Sequence, residues 1–219
     1  MKNTLLSLLV VAASVFAGSS ATAQLQYSEN FGTNLIQPLN LVTWCGHDAG
    51  GILMGGVAPA RLFPSVTANP PNFNNTISIN NGRGSVEVSP AAGALSLIWT
   101  NEHLVARADF NQLVMQVNLL SPNDRVRFAV QLVGGQWYVS DPVHNDVTPA
   151  AWDLWVIPTG AGSLWRTLQF NGTPMANSGV PLAIVGGPIA LPAGDIVAFG
   201  AVFQGNAAGK AIDFYQVVR

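Results

Sequence analysis

Four groups of residues carry side chains capable of chemistry. The tightest in sequence is Cys45-Gly46-His47-Asp48. On an extended strand Cys45 and His47 share a face. A thiol beside an imidazole, with Asp48 to orient it, follows the logic of an activated nucleophile. A nucleophile and its base usually come from separate elements, and nothing in the sequence marks an oxyanion hole, so no catalytic residue is assigned. Cys45 stands alone, excludes an intrachain disulfide and reads as a buried, inert thiol. His103 and His144 are too distant in sequence to complete a zinc-type spacing with His47. The second group is Glu87 and Glu102, the mature glutamates besides Glu29. A pair of carboxylates could hydrolyse a glycosidic bond. Neither lies in an E-x-D-x-x-E strand pattern, and Glu87 alternates with Val86 and Val88 as on a solvated strand face.

The third group is Glu29 on the first expected strand and Asp213 on the last. If these strands are neighbours, two carboxylates plus loop carbonyls could contribute to the six to eight oxygens that calcium takes. The plain alternative is that both carboxylates meet water or Lys210. The fourth group is the polar side of three runs within Leu113 to Asp141, LVMQVNLLSPNDRVRFAVQLVGGQWYVSD. Gln116, Asn118, Arg127, Gln131 and Tyr138 alternate with apolar residues. Trp155 and Trp165 follow with outward parity, opposite Leu154, Val156, Leu164 and Leu168. Aromatic rings beside amides and a guanidinium suit a sugar, whose C–H face stacks on a ring while fixed donors and acceptors read its hydroxyls. The plain alternative is an ordinary solvated sheet face.

The elements that must position these groups are strands. The stretch from Leu113 to Asp141 reads as a β-meander with turns at Ser121-Pro122-Asn123-Asp124 and Gly134-Gly135. A two-residue Gly-Gly turn pairs Leu132 with Trp137, Gln131 with Tyr138 and Val130 with Val139. That register puts Trp137 in the core and Tyr138 outside. Further strands are expected at Tyr27 to Phe31, Leu39 to Cys45, Asp153 to Ile157, Leu164 to Phe170, Ile196 to Gln204 and Ala211 to Val218. Gly84 to Val88 and Ala94 to Thr100 read as a hairpin, with Leu95, Leu97 and Trp99 facing the core. Ile196 to Phe203 is apolar at both parities and is expected to be a central strand between two layers. A loose segment reaches Pro192. With 22 Gly and 14 Pro punctuating short strands, the fold class is all-β, a two-sheet antiparallel sandwich or barrel.

Residues 1–23 read as an export signal: Lys2, an apolar run from Leu5 to Phe16, and a cleavage site at Ala21-Thr22-Ala23. Mature protein then begins at Gln24, and residues 24–219 form a single domain, exported to the extracellular space, cell surface or periplasm. Without Lys2, eight basic and eleven acidic residues leave a net charge near −3. Charged residues make up 9% of the chain, against roughly 25% in an average globular protein. Nucleic acid and anionic membranes need basic patches and are poor partners for such a chain. No second apolar run is long enough to span a bilayer.

Trp44, Ile98-Trp99-Thr100, Val126 to Gln131, Gln136 to Ser140, Leu191 to Gly200 and Ile212-Asp213-Phe214 occur in that order. In these stretches the chain resembles secreted, uncharacterised bacterial jelly-roll proteins, similar to concanavalin A-like and carbohydrate-binding-module β-sandwiches. The resemblance covers most of the mature chain. It implies a jelly roll that carries any ligand on the concave face of one sheet, and in several such families a structural calcium. The function expected is non-catalytic binding of a neutral glycan or polysaccharide. A structural, envelope or matrix role with no small ligand is the alternative, and glycan hydrolysis a weaker one.

Overall fold

The computed structural model describes residues 24–29, 44–50, 77–80, 85–88, 90, 92–145, 151–160, 162–172, 178–205 and 210–219. Thirteen strands among them form two antiparallel sheets, a jelly-roll sandwich. They are β1 (Leu25–Glu29), β2 (Trp44–His47), β3 (Ile77–Asn80), β4 (Ser85–Val88), β5 (Leu95–Thr100), β6 (Gln112–Asn118), β7 (Arg125–Leu132), β8 (Trp137–Ser140), β9 (Trp152–Pro158), β10 (Leu164–Gln169), β11 (Ala183–Ala190), β12 (Ile196–Gln204) and β13 (Lys210–Val218). The first sheet runs β3-β4-β13-β6-β9, with β1 also on β13. The second runs β11-β10-β8-β7-β12-β5-β2. Strand β11 lies within the segment expected to be loose.

β12 lies between β7 and β5, as its double-sided apolar pattern requires. Ile196, Phe199, Ala201 and Phe203 enter the core between the sheets, while Ala198 and Val202 enter a second apolar cluster on the opposite face. At Gly200 a Cβ would fall 2.0 Å from the Ile98 carbonyl oxygen, so this strand crossing requires glycine.

The expected meander is divided between the sheets. β6 pairs with β13 and β9, not with β7. Leu113, Met115 and Val117 therefore face Val126, Phe128, Val130 and Leu132 across the sandwich. Alternation alone cannot tell side-by-side strands from face-to-face ones, because both arrangements bury the same residues. The connecting turn is pinned by Asp124, whose N–H donates to Ser121 O (2.9 Å) and whose Oδ2 accepts from Ser121 N (3.0 Å). The expected 84–100 hairpin is divided in the same way, with β4 in the first sheet and β5 in the second.

The β7–β8 hairpin exists in a shifted register: Gln131 pairs with Trp137, Val130 with Tyr138 and Ala129 with Val139. The cause is Val133. Its N–H donates to Asp195 O (2.9 Å) on the approach to β12, and Leu132 N–H bonds Gln136 O (3.1 Å), so Val133 joins the loop. Gly134 (φ 102°) and Gly135 (φ 90°) supply the positive dihedrals of this three-residue loop. A one-residue slip reverses sidedness. Trp137 is fully buried on the outer face of the second sheet, and half-buried Tyr138 packs against the inter-sheet core.

That outer face is apolar and covered. Leu97, Trp99, Ala129, Trp137, Val139 and Leu168 lie beneath Phe170, Leu182 and Ile184. Leu95, Leu97 and Trp99 belong to this cluster, and Ile98 to the inter-sheet core.

Candidate amide-lined cleft

The seven residues expected to form one binding face occupy four surfaces. Gln116 and Asn118 lie on the outer face of the first sheet, opposite Leu154 and Trp152 of β9. Trp155 pairs with inward-facing Met115, so it turns inward, stacking on Phe128 (centroids 4.6 Å) and His144 (5.5 Å). Tyr138 and Trp165 sit on the inner face of the second sheet. Trp165 is fully buried, and its indole N–H donates to Ser163 Oγ (3.1 Å). Arg127 and Gln131 lie on the outer face of the second sheet, since they alternate with inward Phe128 and Val130. The parity read for β9 and β10 is right and its sense is reversed: Leu154 and Val156 point out, while Leu168 enters the outer cluster. Tyr138, Trp155 and Trp165 therefore share no outward face.

Arg127 Nη1 donates to the Ser140 (2.6 Å) and Asp141 carbonyls. Burial lowers the pKa of its guanidinium; Asp141 works against that shift and Arg166 adds to it. Asp141 is itself paired with Arg166 (Nε–Oδ1 2.5 Å). These polar groups serve to hold the β8–β10 margin.

β1 and β13 are neighbours, with Glu29 opposite Tyr215 and Asp213 at a register shift between Ile212 and Phe214. The side chains of Glu29 and Asp213 lie outside the described residues, as does that of Glu87. Among the described residues no group of three or more His, Cys, Asp or Glu side chains could hold a metal. Cys45 and His47 are both buried on β2. His47 Nδ1 accepts the Trp99 indole N–H (3.0 Å), and the Phe170 ring packs edge-on against the imidazole at 4.7 Å. This histidine is a core hydrogen-bond acceptor.

Gln131 leads to a cleft of about 520 Å³ at one end of the second sheet. Among the described residues three chain segments wall it: the exit of β5 (Trp99, Asn101), the β7–β8 loop (Gln131 to Gln136) and the exit of β10 (Phe170 to Gly172). Buried Trp99 and Phe170 form an aromatic base. At Gly172 a Cβ would lie 2.0 Å from Phe170 Cζ, so only glycine lets the backbone rest on that ring. Gln131 Nε2 donates to Gly135 O (2.8 Å). Gln136 Nε2 donates to Trp137 O (2.9 Å) and Leu168 O (3.2 Å). These bonds orient both side chains and leave both Oε1 acceptors available. The Asn101 and Asn171 carboxamides have no hydrogen-bond partner among the described residues. Among the described residues no lining side chain is ionisable.

Four carboxamides around an aromatic base can donate to and accept from neutral hydroxyls. The sequence reading found only Gln131 of the four. Asn101, Gln136 and Asn171 flank turns, where amides are common for local reasons. The available signal was their recurrence beside glycine or the β5 exit in a chain poor in charge.

No family model matches the sequence, and no curated protein matches it. Among solved structures, a glycoside hydrolase family protein from Mycobacterium thermorestibile superimposes with a TM-score of 0.42 at 11% identity, covering 88% of this chain and 100% of that one. The family 11 carbohydrate-binding module of a cellulosomal cellulase of Clostridium thermocellum gives 0.42 at 10% identity, covering 85% and 94%. An immunostimulatory antigen and pseudo β-1,3-glucanase of Mycobacterium tuberculosis gives 0.38 at 12%, covering 88% and 98%. At these scores the likeness is too loose to transfer a ligand, a reaction or a site.

Proposed function

We propose that this is an exported, non-catalytic protein that binds a neutral glycan in the amide-lined cleft. The supporting observation is the lining: Asn101, Gln131, Gln136 and Asn171 present uncommitted carboxamide atoms around Trp99 and Phe170, with no charge among them. A sugar hydroxyl is both donor and acceptor, as is a carboxamide, so either orientation of the ligand finds partners. Sites built to hydrogen-bond hydroxyls discriminate strongly against analogues that leave their polar groups unpaired. The low charge of the whole chain fits a neutral ligand. The test is retention on insoluble neutral polysaccharides. Mature protein should be held, and Gln131→Ala combined with Asn171→Ala should weaken retention at least tenfold without changing the melting temperature by more than a few degrees. Retention unaffected by that pair would refute the placement.

A second reading rests on Trp152, Leu154 and Val156. These side chains, 36%, 62% and 39% exposed, form an apolar row on the outer face of β9, which ends the first sheet. Such a row on an edge strand favours self-association. Sedimentation equilibrium separates the readings: a structural role predicts oligomers that Leu154→Asp dissolves, whereas glycan binding predicts no dependence on that substitution.

A further inference from the structure

A second cavity, of about 410 Å³, opens at the seam where β9 of one sheet meets β10 of the other. Its wall is chiefly apolar: Pro142, Ile157, Pro158 and Leu164, backed by buried Trp165. The polar side chains among the described lining residues are engaged. Asp141 is ion-paired with Arg166 (2.5 Å). Ser163 Oγ accepts from Trp165 (3.1 Å) and donates to Gly160 O (2.9 Å). A sugar placed here would lose hydration at its hydroxyls and find few free partners, and each group left unpaired costs binding energy.

The walls also resist collapse. Pro142 and Pro158 fix their own φ angles. Asp141 N–H bonds Leu164 O (2.8 Å), Thr159 N–H bonds Asn111 O (2.9 Å) and Ser163 N–H bonds Gly160 O (3.2 Å). Packed proteins leave few voids beyond the size of a water molecule. A rigid, apolar concavity of this volume falls in the range of small-molecule sites, about 300–1,000 Å³. An apolar cavity of only ~150 Å³ can hold benzene.

We propose that this seam is a second binding site, for an uncharged and largely apolar small molecule of two-ring or short alkyl size. It is independent of the glycan cleft. The probe is N-phenyl-1-naphthylamine, an uncharged two-ring dye whose fluorescence rises on desolvation. Titration of mature protein should give saturable binding of one dye per chain. Leu164→Arg, at a 42% exposed position on the rim, and Pro142→Trp, which fills the space, should each weaken it at least tenfold. Leu154→Arg, on the outer face of the first sheet, should leave it unchanged and serves as the control for dye adhering to the β9 apolar row. No saturable binding to the parent protein would overturn the proposal. So would binding that survives both seam substitutions, or binding lost in Leu154→Arg.

Discussion

Lys210 and Asp124 form an ion pair with both side chains fully buried, Nζ to Oδ1 3.0 Å. Lys210 opens β13, and Asp124 closes the turn that carries the chain from the first sheet to the second. Gly205 lies against the pair: a Cβ there would meet Asp124 Oδ1 at 2.3 Å. Lys210→Met removes the cation and leaves the Asp124 carboxylate buried without it. Breaking one side of a buried pair costs about 3–5 kcal/mol. For a domain of this size ~1 kcal/mol moves Tm by about 2–4 °C, so the expected fall is about 6–20 °C. Asp124→Asn on that background removes the buried negative charge and keeps an acceptor for Ser121 N–H. The double variant should therefore recover more than half the loss, a coupling a double-mutant cycle isolates. Thermal unfolding by circular dichroism at pH 7 reads both effects. A fall of less than ~3 °C for Lys210→Met, or a double variant no more stable than that single one, would refute the reasoning.

Two further outcomes follow from placements that differ from the sequence reading or lie deep in the core. Trp137→Ala should cost about 3–5 kcal/mol in urea unfolding, because a fully buried indole of the outer cluster is lost, whereas Tyr138→Ala, at a half-buried site, should cost clearly less. Burial raises the Tyr215 hydroxyl pKa well above its ordinary value; Tyr27 adds to this and the Gly200 backbone opposes it. The native state thus keeps this proton at a pH where the unfolded chain releases it, so the contribution is complete below about pH 10 and is lost as pH rises further. Denaturant melts across pH 8–12 should show an alkaline fall in stability that Tyr215→Phe makes shallower; an identical fall in the variant would contradict the assignment.

The sequence reading succeeded where pattern and burial are locked together. β12 is apolar at both parities and lies centrally between two apolar layers. The all-β sandwich follows from the same alternation. It failed where non-local contacts decide. Leu113 to Val117 and Val126 to Leu132 carry equal alternation whether paired side by side or facing across a core, and only β13 and β9 settle the matter by flanking β6. The hairpin register turned on one amide, Val133, taken by Asp195 some sixty residues later. That shift moved Trp137 and Tyr138 to opposite faces. The senses of Trp155 and Trp165 were reversed because β9 and β10 carry apolar side chains at both parities: Leu154 and Val156 point outward on β9, and Leu168 enters the outer cluster from β10. Of the cleft, Gln131 alone was visible, since Asn101, Gln136 and Asn171 become a site only when three loop ends converge.

The central claim is that a neutral glycan is read by these four carboxamides. The most direct measurement is a 1H–15N NMR titration of mature protein with a soluble oligosaccharide from whichever neutral polysaccharide retains it, following the side-chain NH2 signals. The account predicts saturable shifts at Asn101, Gln131, Gln136 and Asn171, with Gln116 and Asn118 on the first sheet unmoved. Shifts at Gln116 and Asn118 with the cleft signals unchanged would contradict it, as would a retained protein whose four cleft amides stay still.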